Sequence, residues 1–166
     1  MAALTVGKAI YTQMLNEEGI IIDDIIVFRI SDNKYWITTF YVNQMKDIFK
    51  QVSVDFDVEY KDVTAEYIMY VVQGSNSRKV MNKIVHKPVD DMEWFSITDN
   101  QMDDFVVYVC GAGYTGELGY EIYTEPSHKE VLDKRISEAG KNLILLILIS
   151  MLNYLAYQEE KLCSHE

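Results

Sequence analysis

Two places in the chain combine residue types and spacing that could do chemistry. The first is Asp23-Asp24, set in an apolar run over residues 20–30. If that run is extended, its period of two places Ile22, Asp24, Ile26, Phe28 and Ile30 on one face, with Asp24 its single polar residue. Asp23 falls on the other face with Ile21, Ile25, Val27 and Arg29, so a cation lies nearby in sequence. A carboxylate on a buried face is costly unless it accepts hydrogen bonds or meets a ligand, and desolvation raises its pKa. A bulge or strand start that lets Asp24 reach solvent is the simpler reading of the same pattern.

The second place is residues 111–121, Gly-Ala-Gly-Tyr-Thr-Gly-Glu-Leu-Gly-Tyr-Glu, with four glycines in nine residues. Such a run lets a ligand or another backbone approach closely. As a generic glycine-rich stretch it reads as a hairpin loop. It is not a phosphate loop, because no Lys-Ser or Lys-Thr follows the last glycine. Nor does it fit a dinucleotide fingerprint: a strand follows it, so the helix N-terminus that would take a pyrophosphate is missing. His86, His128 and His165 have no metal-ligand spacing, and Cys163 with His165 supplies only two ligands, so no metal site is expected. No Ser/His/Asp or Cys/His arrangement stands out.

The elements that must position these residues read as follows. Residues 20–30 and 35–41 are rich in β-branched and aromatic residues around the turn composition Ser31-Asp32-Asn33-Lys34, a hairpin signature. Val42, Met45, Ile48 and Phe49 recur at helical spacing, which predicts a short amphipathic helix over 43–51. Val54, Phe56, Val58 and Tyr60 alternate with charged residues, which predicts a half-buried strand. Further strands are expected over 66–73, 105–110 and 120–123, with helices over 77–85 and from Ser127, whose Glu130 completes a capping box. The apolar stretch 143–157 is interrupted by Ser150 and Asn153 and is too short to span a bilayer, so a buried core helix is expected. The order in the second half resembles a split β-α-β pattern, which makes the fold class α+β: an antiparallel sheet portion (1–62) followed by a ferredoxin-like portion (63–166).

Composition bounds the partners. The chain has 166 residues, one domain or two small ones, and can bury roughly 70% of its unfolded surface without a staple. Fifteen Lys and Arg against 26 Asp and Glu give a net charge of -11, which argues against nucleic acid and anionic membrane. Cys110 and Cys163 do not make a disulfide framework, which fits a reducing, cytoplasmic compartment. The first nine residues show no basic segment before an apolar core, so no secretory signal is expected.

Three segments together resemble one family. Residues 7–19, Gly-Lys-Ala-Ile-Tyr-Thr-Gln-Met-Leu-Asn-Glu-Glu-Gly, lead into Ile22-Asp23-Asp24-Ile25; Gln73-Gly74 precedes a helix; and residues 113–122 run Gly-Tyr-Thr-Gly-Glu-Leu-Gly-Tyr-Glu-Ile. In that order they resemble the aminomethyltransferases, the glycine-cleavage T-protein and its relatives. The resemblance implies the folate-binding fold of that family and transfer of a one-carbon unit to tetrahydrofolate, from a small methyl or aminomethyl donor or from a lipoyl-carrier protein. It implies that Asp24 is catalytic, positioning the folate nitrogen that attacks the methylene carbon, and that Glu121 holds the pterin ring. It also nominates Tyr114, Glu117 and Asp23 as folate-binding residues. A carboxylate suits a pterin because it can accept two parallel N–H bonds from the ring edge.

The chain departs from the family pattern at Ile20, where a second glycine is usual, and at Thr39-Phe40, where Asn-Ala is usual. Residues 151–158 look like a family helix in which Leu152 and Ala156 replace two arginines and Gln158 a glutamate. The chain covers less than half of a typical member, so exposed apolar surface and self-association are expected. The alternatives to turnover are a pterin-binding module without catalysis, or a drifted copy held by its core alone.

Overall fold

The computed structural model describes residues 4–141, 146–150 and 153–159. Its elements run β1 (Ala9–Leu15), β2 (Ile21–Ser31), β3 (Lys34–Thr39), α1 (Val42–Val52), β4 (Val58–Asp62), β5 (Ile68–Gln73), α2 (Ser77–Ile84), β6 (Ile97–Met102), β7 (Phe105–Cys110), β8 (Gly119–Thr124), α3 (Lys129–Gly140), β9 (Leu146–Ser150) and β10 (Asn153–Glu159). They divide into two units, one holding the elements before Ala65 together with β10, the other holding β5 through β9. The fold is α+β with antiparallel pairing throughout both sheets.

The first unit is a five-stranded sheet in the order β1-β2-β3-β10-β4. The β2–β3 hairpin forms as its composition predicts, with Val27 opposite Ile37 and Phe28 opposite Trp36. Helix α1 buries Met45 against Ile25, Val27, Tyr35 and Ile37, with Phe49 packed at the edge of the cluster. Lys46 of α1 reaches Asp62 at the end of β4, 2.6 Å away. The expected alternating strand begins late. Residues Ser53–Asp55 form a 3-10 turn in which Val54 is exposed, and only Val58–Asp62 pairs. The tight turn continuing directly from α1 leaves those residues no extended neighbour.

The second unit is a five-stranded sheet in the order β6-β7-β8-β5-β9. Without β6 the order is that of a ferredoxin-like split β-α-β fold, with α2 and α3 as its crossovers. Tyr70 and Val72 of β5, Val107 and Val109 of β7, and Tyr120 and Ile122 of β8 pack with Val80 and Met81 of α2 and Leu132 and Ile136 of α3 in one core cluster. Strict alternation along β8 therefore turns Glu121 and Tyr123 to the opposite face. The capping box expected at Ser127 is not made: residues Pro126–His128 form a 3-10 turn and α3 starts at Lys129 without a side-chain cap.

The expected C-terminal helix is corrected to two strands. β9 pairs with β5 through Val71 opposite Leu148, while β10 runs between β3 and β4 in the other sheet. An apolar run of this composition satisfies its backbone equally well as helix or strand. Here β3, β4 and β5 each present a row of N–H and C=O groups that only an added strand can pair. Leu152 and the Cys163–His165 pair lie outside the described residues, as do the N-terminal three. Among the described residues no helix is long and apolar enough to cross a membrane, and no cluster of three potential ligands could hold a metal.

Candidate functional site

Asp24 reaches solvent, as the simpler reading of the pattern has it, but from within the paired strand, and its neighbour is the residue that is buried. Asp23 is the buried member, 3% exposed, on the face that carries Ile25 and Val27, and Asp24 is exposed. Both faces of β2 are apolar in sequence, so the alternation alone cannot choose between them. The choice is made by α1, which packs on the face of Ile25 and Val27. The buried carboxylate is not paired with Arg29, whose guanidinium donates to the carbonyls of Leu4 and Asp32 and lies over the Tyr35 ring. Its partner is Thr39 at the end of β3, whose hydroxyl donates to Asp23 Oδ2. The same hydroxyl oxygen accepts the Tyr41 backbone N–H at 2.9 Å, so it links the carboxylate to the entry of α1.

Adjacent residues of a strand point to opposite faces, so fixing Asp23 inward fixes Asp24 outward. Asp24 lies opposite Gln13 in the ladder to β1. Next to it, Tyr11 has its phenol pKa raised, first by desolvation and then by the charge and hydrogen bond of Asp24.

In the second unit, residues 111–118 join β7 to β8 and close around the side chain of Gln73 at the end of β5. Gln73 Oε1 accepts the Thr115 N–H at 3.0 Å and the Thr115 hydroxyl, and its Nε2 donates to the Ala112 carbonyl at 3.4 Å. The glycines answer to this contact. A Cβ on Gly113 would lie 1.4 Å from Gln73 Nε2, and one on Gly119 would lie 2.7 Å from it. Gly116 turns the loop at φ +74°, a conformation side chains rarely adopt. Gly74 N–H and the Ser77 hydroxyl both donate to the Leu118 carbonyl, which ties the loop to the start of α2.

Beside the loop stands Glu121, 2% exposed, opposite Cys110 of β7 and Val71 of β5. Burial pushes its carboxyl above the ordinary range, and the Tyr123 hydroxyl, which donates to Glu121 Oε2, opposes that shift without cancelling it. Burial, with the Glu121 charge added, pushes the Cys110 thiol well up, so it is a neutral core residue at physiological pH. Desolvation, then Glu121 and Cys110, hold the Tyr114 phenol up to about 12. Tyr114 is therefore a lasting hydroxyl donor at the exposed turn of the loop. The Glu117 side chain is exposed, and its N–H donates to Thr115 Oγ1 at 3.3 Å.

Of the residues expected from the sequence, Tyr114 and Glu121 are thus electrostatic neighbours, Glu117 stands on the outer turn, and Asp23 and Asp24 belong to the first unit. Sequence patterning does not single out the roles of Thr39, Tyr123 and Gln73. Tyr123 was legible at two residues from Glu121 on one strand face, whereas Thr39 and Gln73 act through contacts distant in sequence.

An α+β chain with a ferredoxin-like unit, a glycine loop closed around a buried glutamine and a buried glutamate beside it fits the aminomethyltransferase fold. The chain belongs to that family: the model of the GCVT N-terminal domain matches residues 1–147. It is 34% identical over 142 residues to the aminomethyltransferase of Thermosipho melanesiensis, a match covering 81% of this chain and 39% of that one. To the aminomethyltransferase of Halothermothrix orenii it is 30% identical over 147 residues, 88% of this chain and 41% of that one. The chain thus spans about two fifths of the length of these relatives. The fold is similar to that of glycine cleavage system aminomethyltransferase T from Bartonella henselae, with a TM-score of 0.66, 21% identity, and coverage of 82% of this chain and 37% of that one. The family match ends at residue 147, so the likeness of residues 151–158 to a family helix has no counterpart in it, and residues 153–158 lie in strand β10.

Three outcomes follow from this geometry. Gly113→Ala should cost about 1–3 kcal/mol by overpacking. Gln73→Ala combined with it should recover part of that loss, and denaturant melts of both single variants and the double variant measure the coupling. Thr39→Val should cost about 1–3 kcal/mol by leaving a buried carboxylate without its donor, while Thr39→Ser keeps most of the stability. Because the folded-state pKa of Glu121 is raised, the wild type loses stability as pH rises through it. Glu121→Gln should therefore melt higher than wild type at neutral pH, with the advantage gone below about pH 4, where the carboxyl is protonated in both folded and unfolded chains.

Proposed function

We propose that this chain carries a tetrahydrofolate-dependent one-carbon transfer site of the aminomethyltransferase type. The observation that supports it most is Glu121. A carboxylate held 2% exposed, with a tyrosine hydroxyl beside it and no cation among its perturbing groups, is an expensive arrangement for stability alone. It suits a ligand that presents N–H donors on a flat ring edge, as a pterin does. Glu121 would anchor the ring, Tyr114 would donate its hydroxyl from the loop, and Glu117 would line the outer turn.

The second part of the reading concerns the aspartates. Asp24 is the carboxylate with access, and Asp23, bound by Thr39, holds its direction. In this reading Asp24 accepts a hydrogen bond from the folate nitrogen and orients it toward the incoming methylene. Tetrahydrofolate supplies that nucleophilic nitrogen, and the one-carbon unit comes from a small aminomethyl or methyl donor or from a lipoyl-carrier protein. The free, buried Cys110 suits a reducing, cytoplasmic setting.

Calorimetric titration with tetrahydrofolate under anaerobic, reducing conditions tests both parts. Wild type should bind saturably. Glu121→Gln should weaken binding by about 10–100-fold, the worth of a charged hydrogen bond. Asp24→Asn should leave binding within about twofold while abolishing transfer, since it removes a charge made useful only in the reaction. Absent binding by folded wild type overturns the reading. Binding without transfer for any donor leaves a pterin-binding module and removes Asp24 from a catalytic role.

A further inference from the structure

Strand β1 is an edge strand with none of the usual protection. Among the described residues it pairs with β2 alone, and its sequence Ala-Ile-Tyr-Thr-Gln-Met-Leu holds no charge and no proline. Natural edges are normally blunted by such residues, because a bare edge is a template for another strand. Ile10, Tyr11 and Leu15 are 46%, 54% and 52% exposed. Arg29 N–H donates to the Lys8 carbonyl, and the β1–β2 register continues from there through Ile10 opposite Val27 and Thr12 opposite Ile25. Alternation of an antiparallel ladder then points the N–H and C=O groups of Ala9, Tyr11, Gln13 and Leu15 away from β2. On one side of the strand, Ile10, Thr12 and Met14 border an apolar groove of about 470 Å³ beside Met45 and Phe49.

We propose that β1 pairs antiparallel with β1 of a second copy of this chain, centred on Thr12. That register is self-complementary, as a two-fold interface requires. It sets Tyr11 against Gln13 and Ala9 against Leu15 in hydrogen-bonded pairs, so all four outward residues are satisfied. It sets Ile10 against Met14 on the groove side, and the two apolar grooves become continuous across the axis. It also places Lys8 at the end of one strand beside Asn16 and Glu17 of the other, so a positive charge on one side of β1 meets a negative charge that follows its other end. The opposite ends of the strand therefore attract when antiparallel, whereas a parallel copy would align like charges.

Sedimentation equilibrium of the full chain from micromolar to millimolar concentration should approach twice the 19.3 kDa chain mass. Thr12→Cys should cross-link to a reducible dimer under mild oxidation, because residues facing each other across the axis in a non-hydrogen-bonded pair bring their Cβ atoms close. Wild type, with its own two cysteines, is the control. Gln13→Pro removes an outward N–H and leaves the ladder to β2 intact, so it should weaken the dimer about tenfold or more with an unchanged circular dichroism spectrum. A folded wild type that stays at 19.3 kDa overturns the proposal. So does a dimer in which Thr12→Cys fails to cross-link, since the copies would then meet elsewhere. These outcomes do not depend on folate or on transfer.

Discussion

The second unit depends on one side chain reaching into one loop. The carboxamide of Gln73, 5% exposed, takes hydrogen bonds from both the backbone and the hydroxyl of Thr115, and donates to Ala112. A neutral amide offers donor and acceptor together, so it can satisfy a loop that has no ladder of its own. This contact explains why residues about forty positions apart share one pattern. Gly113 and Gly119 are glycines because Gln73 occupies the space where their side chains would stand. Gly74 and Ser77 bind Leu118, so the same closure starts helix α2. With the loop held, β8 leaves it in a fixed phase, and that phase puts Tyr120 in the core and Glu121 on the other face.

Much of this fold can be read from periodicity, and the failures have identifiable causes. Helices α1, α2 and α3 each have one apolar face, and the β2–β3 hairpin, β5, β7 and β8 are runs of β-branched and aromatic residues, so composition and period name them. β6 escapes notice because it carries polar residues on exposed positions: Ile97–Met102 reads Ile-Thr-Asp-Asn-Gln-Met, with Asn100 folded back to bind Lys87, while β1 escapes it because Ala-Ile-Tyr-Thr-Gln-Met-Leu has no clean period of two. The C-terminal run has the opposite difficulty. It is apolar on every side, so it has no period, and its form is decided by strands elsewhere that need partners.

The site shows the same division. Glu121 and Tyr114 stand out because glycines cluster beside them. The aspartates stand out as charges in an apolar strand, but which of the two is buried depends on α1, an element that begins eighteen residues after Asp24. A strand with two apolar faces leaves its phase undetermined until something packs against one of them. The identity of the donor to Asp23 is likewise a tertiary fact. Thr39 departs from the asparagine usual in the family, yet it still offers a polar side chain at the end of β3, here to the neighbouring carboxylate.

The two units handle a buried carboxylate in similar ways. Each gives it a hydroxyl donor, Thr39 for Asp23 and Tyr123 for Glu121, and among the described residues neither gives it a cation. An ion pair would satisfy the charge more fully, but it would also saturate the acceptor. A single hydroxyl holds the orientation at lower stability and keeps acceptor capacity. For Asp23 the consequence is indirect: its fixed inward direction commits Asp24 to the exposed face. For Glu121 it is direct in the proposed reading: a carboxyl raised by burial would gain most from the donors a bound ligand brings. At neutral pH the raised carboxyl of Glu121 thus keeps stability below what a neutral side chain at that position would give.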